Sequence, residues 1–227
     1  MKPVVITDFS RAYPDQGFPE ALKGEGVRFD LLDMGDMEGV RCYCDAASAR
    51  EIRRRIASYT GKPGIHWLDS GDYHYMTLFY ASAFQNPYTL VLLDNHPDDQ
   101  EPEFPGVLSC GSWVKTLRET CPALAGTVSI GPGGSRPALP EALGDVYLSI
   151  DKDILSPESA RTDWSQGDFT LEEVAEIVAD VFSRADHVLG ADICGELSTD
   201  HGATPEDCRI NLETNLFLMN LIMRLYE

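Results

Sequence analysis

The sequence predicts an α/β protein, a three-layer α/β/α sandwich built around a mostly parallel β-sheet. Three observations support this prediction. Short, almost continuously apolar runs recur along the chain, segments with helical spacing lie between them, and the runs end abruptly in acidic or small polar residues. Near-continuous hydrophobicity is typical of strands that helices cover on both faces. Strands that alternate with helices favour a parallel sheet.

Seven runs are predicted to be strands, because each is rich in β-branched or other apolar residues and stops at a polar residue. Four segments between or after them have the apolar spacing of helices. The predicted strands cover residues 3–8, 29–34, 64–72, 88–96, 126–131, 145–153 and 187–193, and the predicted helices cover residues 47–59, 75–84, 170–185 and 211–226.

Two local patterns refine this outline. Thr170 is followed three residues later by Glu173, which is a capping box in which each side chain can bond a free backbone N–H at the helix start. The Gly/Pro-rich stretch 131–140 is predicted to be a loop. It has neither the ending of a P-loop nor the GxGxxG spacing, so we do not expect it to bind phosphate. We expect a single domain over residues 1–227.

Charge and composition narrow the class of partner. The 227 residues include 18 Lys and Arg against 37 Asp and Glu, a formal net charge of −19. Nucleic acid and anionic membranes are not expected as partners, because both need clustered Lys and Arg. No apolar run approaches the roughly 18 residues that span a bilayer, and the N-terminus lacks a signal-peptide pattern. The six cysteines are scattered and suggest no disulfide framework, so we expect a soluble, cytoplasmic protein.

Acidic residues and a histidine follow one of the predicted strands. Asp94 comes directly after the apolar run 88–93, and His96 and Asp98 follow at alternate positions. If the extended conformation persists, all three side chains point to one side. In open α/β sheets, ligands bind outside the carboxyl ends of the strands. The sequence therefore predicts one imidazole and two carboxylates at a common site.

A second predicted strand ends in the same way, with Asp151 and Asp153. Four aspartates at one end of a sheet would repel each other and raise each other's pKa unless cations held them ionised. An aspartate at the end of a strand is by itself more commonly a helix cap or a turn residue. The presence of both, in a chain with only five histidines, favours a metal site.

These motifs resemble those of the arginase, agmatinase and formiminoglutamase group of ureohydrolases, as in a compact and divergent member. Residues 94–98 (DNHPD) match D-x-H-x-D, and residues 149–157 (SIDKDILSP) match S-x-D-x-D-x-x-D-P except at Ser156. Residues 70–74 (SGDYH) resemble the G-G-D-H segment with Tyr73 inserted before His74. Residues 190–196 (GADICGE) resemble the D-I-x-E segment with one extra residue before Glu196.

The resemblance implies an arginase-type fold and a binuclear manganese centre. It implies that a hydroxide bridging the two metal ions hydrolyses a linear C–N bond in a guanidino, amidino or amide compound. Carboxylate-rich sites with few imidazoles suit manganese or another hard divalent ion, and two such ions generate hydroxide at neutral pH. When the family's metal ligands are transferred to the matching positions of this sequence, the resemblance implies two sets. One metal is assigned to His74, Asp94, Asp98 and Asp151, and the other to Asp94, His96, Asp151 and Asp153.

Three residues are assigned to catalysis. Asp98 belongs to both the ligand set and the catalytic set. Glu196 is expected to pair with a cationic guanidinium or amine, because a charge-assisted pair would orient such a substrate. His201 is a candidate proton shuttle, since histidine titrates near neutral pH, although a histidine in a polar loop is commonly only solvated.

The departures from the motifs leave alternatives open. The stretch 108–117 (LSCGSWVKTL) has no histidine where the family's arginine and agmatine hydrolases carry one, which argues against arginine as the substrate. We expect a small, cationic or neutral substrate, and the sequence leaves open whether the chain forms a homo-oligomer. A catalytically altered metal-binding regulatory or interaction protein of the same fold is one alternative, and a carboxylate-metal phosphoesterase is another.

Overall fold

The main sheet contains seven parallel strands. A computed structural model describes residues 2–227. In chain order the strands are β1 (Val4–Asp8), β2 (Asp30–Asp33), β3 (Tyr43–Cys44), β4 (Ile65–Trp67), β5 (Tyr88–Leu93), β6 (Leu108–Ser109), β7 (Leu124–Ile130), β8 (Gly144–Asp151) and β9 (Ala185–Cys194). The main sheet has the order β2-β1-β4-β9-β8-β5-β7, and every neighbouring pair in it is parallel.

Strands β3 and β6 form a separate two-stranded antiparallel sheet, in which Tyr43 lies opposite Ser109 and Cys44 lies opposite Leu108. This small sheet joins two loops that are far apart in the sequence. Strands this short carry almost no periodicity, which is why the sequence did not predict them.

Helices cover both faces of the main sheet. In chain order they are α1 (Ala12–Gln16), α2 (Phe18–Gly24), α3 (Ala46–Ile56), α4 (Met76–Ala81), α5 (Trp113–Thr120), α6 (Leu171–Arg184) and α7 (Pro205–Leu225). Buried residues of α2, α6 and α7 pack into one hydrophobic cluster, whereas those of α3, α4 and α5 pack into the other. The result is the predicted three-layer sandwich.

Strand β5 shows why its sequence is continuously apolar. Val91 and Leu93 belong to one hydrophobic cluster, and Leu90 and Leu92 belong to the other. All four are fully buried. Successive side chains of a strand point to opposite faces, so a strand covered on both faces needs an apolar residue at every position.

All seven predicted strands are confirmed, and so are the four predicted helices. Two bounds differ. The run 64–72 is a strand only as far as Trp67, because a 3-10 turn begins at Gly71. The C-terminal helix begins at Pro205, earlier than expected, because Thr204 and Asp207 form a capping box ahead of it. Helices α1, α2 and α5 were not predicted.

The parallel arrangement fixes where the functional residues meet. Strands β5 and β8 are neighbours in register, with Leu93 beside Ile150. Asp94 follows β5 and Asp151 ends β8, so their carboxylates leave the sheet at the same edge. Over residues 2–227, no helix combines the length and the apolarity needed to cross a membrane.

Candidate metal centre

Six predicted metal ligands converge at the carboxyl edge of β5 and β8. Ligand atoms of His74, Asp94 and Asp98 lie within 4.8 Å of one another, and so do those of Asp94, His96 and Asp153. Asp94 belongs to both groups, which is the position that a ligand shared between two metal ions requires. Asp151 reaches the first group through Oδ2, which lies 3.4 Å from His74 Nδ1.

His74 presents one ring nitrogen to the carboxylates. Its Nδ1 lies 3.2 Å from Asp94 Oδ2 and 3.0 Å from Asp98 Oδ2. Its Nε2 lies 2.9 Å from the Ser149 hydroxyl on the neighbouring strand. A hydrogen bond at Nε2 fixes the ring orientation and leaves Nδ1 as the atom available to a metal.

The loop after β5 does not continue as a strand. The alternate spacing predicted an extended chain from Asp94 to Asp98, but Asp98 has a left-handed backbone with φ of 47°. The backbone N–H of His96 donates to Asp94 Oδ1 at 2.6 Å, which turns the loop back on itself. The indole N–H of Trp113 in α5 donates to Asp98 Oδ2 at 2.6 Å and holds this carboxylate in place.

A similar turn follows β8. Residues Lys152–Ile154 form a single 3-10 turn, and Asp151 caps it by accepting the backbone N–H of Asp153 at 2.9 Å. Asp153 Oδ2 lies 2.7 Å from His96 Nδ1, and Asp153 Oδ1 accepts the backbone N–H of Asn95 at 2.9 Å. The two loops are therefore linked by their own ligand-type side chains.

The electrostatics of this cluster favour a cation. Burial raises the pKa of Asp94, and repulsion from Asp98 adds to the effect. Burial, followed by repulsion from Asp153, raises the pKa of Asp151 to about 6. Burial, followed by repulsion from Asp94, raises the pKa of Asp153 to about 6. Carboxyl groups in this setting stay ionised near neutral pH when positive charge is supplied among them.

Two buried polar atoms that lack hydrogen-bond partners are placed where a metal ion could bind them. His74 Nδ1 and Asp94 Oδ2 are both buried without a hydrogen-bond partner, although buried polar atoms in native proteins are normally paired. A divalent ion between them would satisfy both atoms. Carboxylate and imidazole donors without a thiolate suit a hard divalent ion such as manganese.

Cys194 is a neighbour of the centre that sequence reasoning missed. Its Sγ lies within 4.8 Å of ligand atoms of His74 and Asp151 and donates to Asp151 Oδ2 at 3.2 Å. Burial raises the pKa of the Cys194 thiol well above its usual value, and the Asp151 charge raises it further. The group is therefore a neutral hydrogen-bond donor that orients Asp151.

The centre opens into a cavity of about 240 Å³. Its floor contains Asp94, His96, Asp98, Asp151 and Asp153. Its walls come from the small sheet, from the loops after β4, β5 and β8 and from the turn before α5. They include Cys42, Tyr43, Gly71, Gln100, Glu101, Glu103, Ser109, Cys110, Gly111 and Trp164.

Solved structures share this architecture. A hypothetical agmatinase from Burkholderia thailandensis has a TM-score of 0.65 at 15% identity, over 99% of this chain and 86% of that chain. Formimidoylglutamase from Bacillus subtilis has a TM-score of 0.67 at 13% identity, over 98% and 88%. Arginase from Bacillus caldovelox has a TM-score of 0.61 at 14% identity, over 100% and 98%. The chain has the arginase-type fold.

The resemblance that the motifs suggested is thus confirmed for the arginase-type fold. In sequence, the chain is 29% identical over 205 residues to an uncharacterized protein of Thermotoga maritima, which covers 84% of this chain and 78% of that protein. No protein-family model matches the chain. The six ligand-type residues lie close together, but their roles as metal ligands stay predictions.

Glu196 does not line the cavity. The structure therefore does not support its predicted role as the carboxylate that binds the substrate. Glu196 is fully buried, and its Oε1 lies 2.6 Å from the Lys152 ammonium. Gln16 and Asn215 donate to the same carboxylate at 2.7 and 2.9 Å. A carboxylate that is enclosed and fully bonded cannot also bind a substrate at the cavity.

The extra residue in the motif explains this displacement. Gly195 has φ of +90°, a conformation that L side chains rarely adopt. A Cβ at this position would lie 2.3 Å from Asp151 Oδ1 and 2.7 Å from the Lys152 backbone nitrogen. The chain therefore passes against the metal centre without a side chain, and Glu196 points to Lys152 instead.

His201 also lies away from the metal cavity. Its Nδ1 contacts Asp163 and its Nε2 contacts Arg41. These residues line a separate cavity, and Trp164 stands between it and the metal centre. A proton shuttle at the metal centre would have to reach across the indole, so the position of His201 does not support that assignment.

The buried ion pair generates a stability prediction. Glu196→Gln should lower the free energy of unfolding by about 3 kcal/mol, because it leaves the enclosed Lys152 ammonium without its counter-charge. Urea denaturation of the metal-loaded protein measures this effect. Glu213→Gln is the matched control: this α7 side chain is 64% exposed, and its loss should cost less than about 0.5 kcal/mol. A fully stable Glu196→Gln that lost only turnover would restore the substrate-binding role.

The carboxylate cluster generates a pH prediction. The pKa values of Asp151 and Asp153 lie near 6 in the metal-free protein, above the ordinary value of 3.8. Their contribution to metal-free stability is present at low pH and is lost as the pH rises through about 6. Metal binding needs the ionised carboxylates. Manganese should therefore raise the Tm more at about pH 7.5 than at about pH 5, as measured by thermal melting with manganese and with a chelator. Equal gains at both values would contradict the electrostatic account.

Proposed function

We propose that the protein is a hydrolase that depends on two divalent metal ions and cleaves a linear C–N bond in a guanidino, amidino or amide compound. The observation that carries this proposal is the shared cluster, in which Asp94 belongs to two groups of ligand-type side chains on one cavity floor. The names of the solved structures with the same fold, an agmatinase, a formimidoylglutamase and an arginase, agree with this reaction class.

The ligand assignment takes the two groups and adds Asp151 to both, as the motif resemblance implies. Manganese is the metal we propose, because the donors are four carboxylates and two imidazoles. His74, Asp94, Asp98 and Asp151 would hold one ion, and Asp94, His96, Asp151 and Asp153 would hold the other. Bound divalent ions would lower the pKa of a coordinated water towards neutrality and polarise the bond to be cleaved.

The chain itself supplies orientation and a proton site. Trp113 fixes Asp98 Oδ2 by a hydrogen bond of 2.6 Å, and Asp98 lines the cavity. From this position the Asp98 carboxylate would accept a proton from the attacking water and return it to the leaving amine. Ser149 and Cys194 orient His74 and Asp151 from outside the cavity.

Charge in the cavity favours a cationic or neutral substrate. Glu101 and Glu103 lie at its rim, and no lysine or arginine between residues 2 and 227 lines it. Two divalent ions would offset the four floor aspartates, and Lys115 pairs with Glu101 at 2.9 Å. Glu103 therefore remains as the local excess of negative charge. An anionic substrate would meet repulsion at the rim and from the overall charge of −19.

One observation favours the alternative of a catalytically altered binding protein. His96 is the histidine that lines the cavity within the described chain, and it belongs to a ligand group. The wall between Ser109 and Gly111 offers hydroxyl and thiol groups in place of an imidazole. A protein of this kind would bind metal without turning over a C–N substrate.

Metal stoichiometry tests the centre. After manganese saturation and desalting, the wild-type chain should retain two ions, as measured by inductively coupled plasma analysis. Asp151→Asn should retain one ion or none, because it removes a negative charge that both ions share. Asp145→Asn is the matched control, since it makes the same change at the far end of β8. A wild-type protein without bound metal would contradict the centre, and full metal content in Asp151→Asn would contradict the bridging role.

A substrate panel tests the reaction. Release of urea or ammonia is measured with manganese on alkylguanidines, amidines, amides and dicarboxylic compounds, and release of phosphate is measured on phosphate esters. Guanidino or amidino compounds should have at least about tenfold higher kcat/KM than anionic ones, because the rim is negative. Metal binding without any C–N cleavage would favour the regulatory alternative. Phosphate release would favour a phosphoesterase.

A further inference from the structure

Trp164 is the tryptophan that faces the metal cavity. Trp67 and Trp113 are fully buried, whereas Trp164 is 40% exposed and lines the cavity beside the ligand cluster. Its ring centre lies 5.8 Å from that of His96, with the planes at 71°. A large exposed aromatic surface therefore stands next to the candidate metal ligands.

The indole of Trp164 is held in place through its N–H group. Its Nε1 donates to Asp72 Oδ1 at 3.0 Å, and Asp72 also accepts from Arg41 Nε at 2.9 Å. Gly71 lies directly against the ring: a Cβ there would be 2.8 Å from Trp164 Cδ1 and 3.2 Å from Asp151 Oδ2. The pyrrole edge is thus fixed within reach of the metal centre.

The backbone next to Trp164 is fixed as well. The Ser165 hydroxyl lies 2.9 Å from His96 Nε2, and the Ser165 carbonyl accepts from Asn95 Nδ2 at 2.8 Å. Both partners belong to the loop that carries the ligand-type side chains. The aromatic wall is therefore tied to the metal floor, so that their separation is set before a ligand arrives.

We propose that the indole face of Trp164 binds the planar cationic group of the substrate, a guanidinium or amidinium, by stacking. The proposal rests on the proposed function, because it assigns the surface that recognises the substrate of the same site. A carboxylate could have served this purpose, but Glu196 is enclosed with Lys152. A tryptophan face attracts cations, and a planar cation can lie flat against it.

The surroundings agree with a cation in this position. With the floor aspartates offset by the metal ions and Glu101 paired with Lys115, Glu103 supplies uncompensated negative charge at the rim. Stacking on Trp164 would place the planar group beside Asp151, on the side of the cavity where the ligand cluster lies. The aromatic face distinguishes a flat cation from a tetrahedral ammonium of the same charge, since only the flat group makes contact over its whole area.

Intrinsic fluorescence tests this binding without turnover. The probe is n-butylguanidinium. The two controls are n-butylammonium, which has the same charge on a tetrahedral group, and n-butylurea, which has a planar group without a charge. In the manganese-loaded protein, n-butylguanidinium should change the emission saturably, with an affinity about tenfold higher than either control. In Trp164→Phe the change should fall to the small part contributed by Trp113, which bonds Asp98 at the metal centre. An emission change of equal size in wild type and Trp164→Phe, or equal affinities for the three probes, would overturn the proposal.

Kinetics on the best cationic substrate provide the second test. Trp164→Leu should raise KM about tenfold and leave kcat within about twofold, and Trp164→Phe should recover most of the loss because it keeps an aromatic face. Phe217→Leu is the matched control, as it removes a ring that is 38% exposed on α7. Metal content should be the same in all variants. Unchanged KM in Trp164→Leu would overturn the proposal.

The two tests separate this proposal from the hydrolase assignment. If no substrate is turned over but the fluorescence titration is selective for n-butylguanidinium, the hydrolase assignment fails and the stacking site stands. If turnover occurs but neither fluorescence nor KM depends on Trp164, the stacking site fails and the hydrolase assignment stands. Should Trp164→Leu fold poorly, the titrations of the wild type and Trp164→Phe decide the question.

Discussion

Four buried aspartates that repel one another are the constraint on which the rest of the site depends. Asp94, Asp98, Asp151 and Asp153 are each at least nine-tenths buried, and they meet where two neighbouring parallel strands end. Burial and proximity raise their pKa values. A fold that only needed stability would not gather these groups, since each would be less costly in water. Their arrangement is the one that the proposed metal centre requires.

The surrounding structure supports this cluster from below and from the side. Beneath the floor, Lys152 points away from its two aspartate neighbours and pairs with Glu196 in an enclosed network. Beside the floor, Trp113 and Ser149 donate to or contact residues of the cluster. None of these groups needs to contact a substrate. They fix the rotamers of those that would, which is how enclosed polar networks contribute to a functional site.

Strong local patterns in the sequence predicted the fold and the residue types of the site. Seven apolar runs became seven strands, since strands buried on both faces leave a pattern that needs no tertiary knowledge. The ligand-type residues were found because their spacing is a local property. The positions of Glu196 and His201 were not predictable in the same way. The direction of Glu196 depends on the left-handed backbone of Gly195 and on a lysine 44 residues away, and the partners of His201 come from two distant loops.

The small antiparallel sheet and the main sheet build different parts of the same cavity. Tyr43 and Ser109, which pair across it, line the cavity wall, whereas the floor is built at the edge of the seven-stranded sheet. This part of the wall and the floor therefore draw their rigidity from different hydrogen-bond ladders. Changes of sequence in the small sheet can reshape what enters the cavity while the charge cluster and its supports stay intact. In evolutionary terms, substitutions at Tyr43 and Ser109 can change which ligand enters without altering the backbone that carries the ligand-type residues.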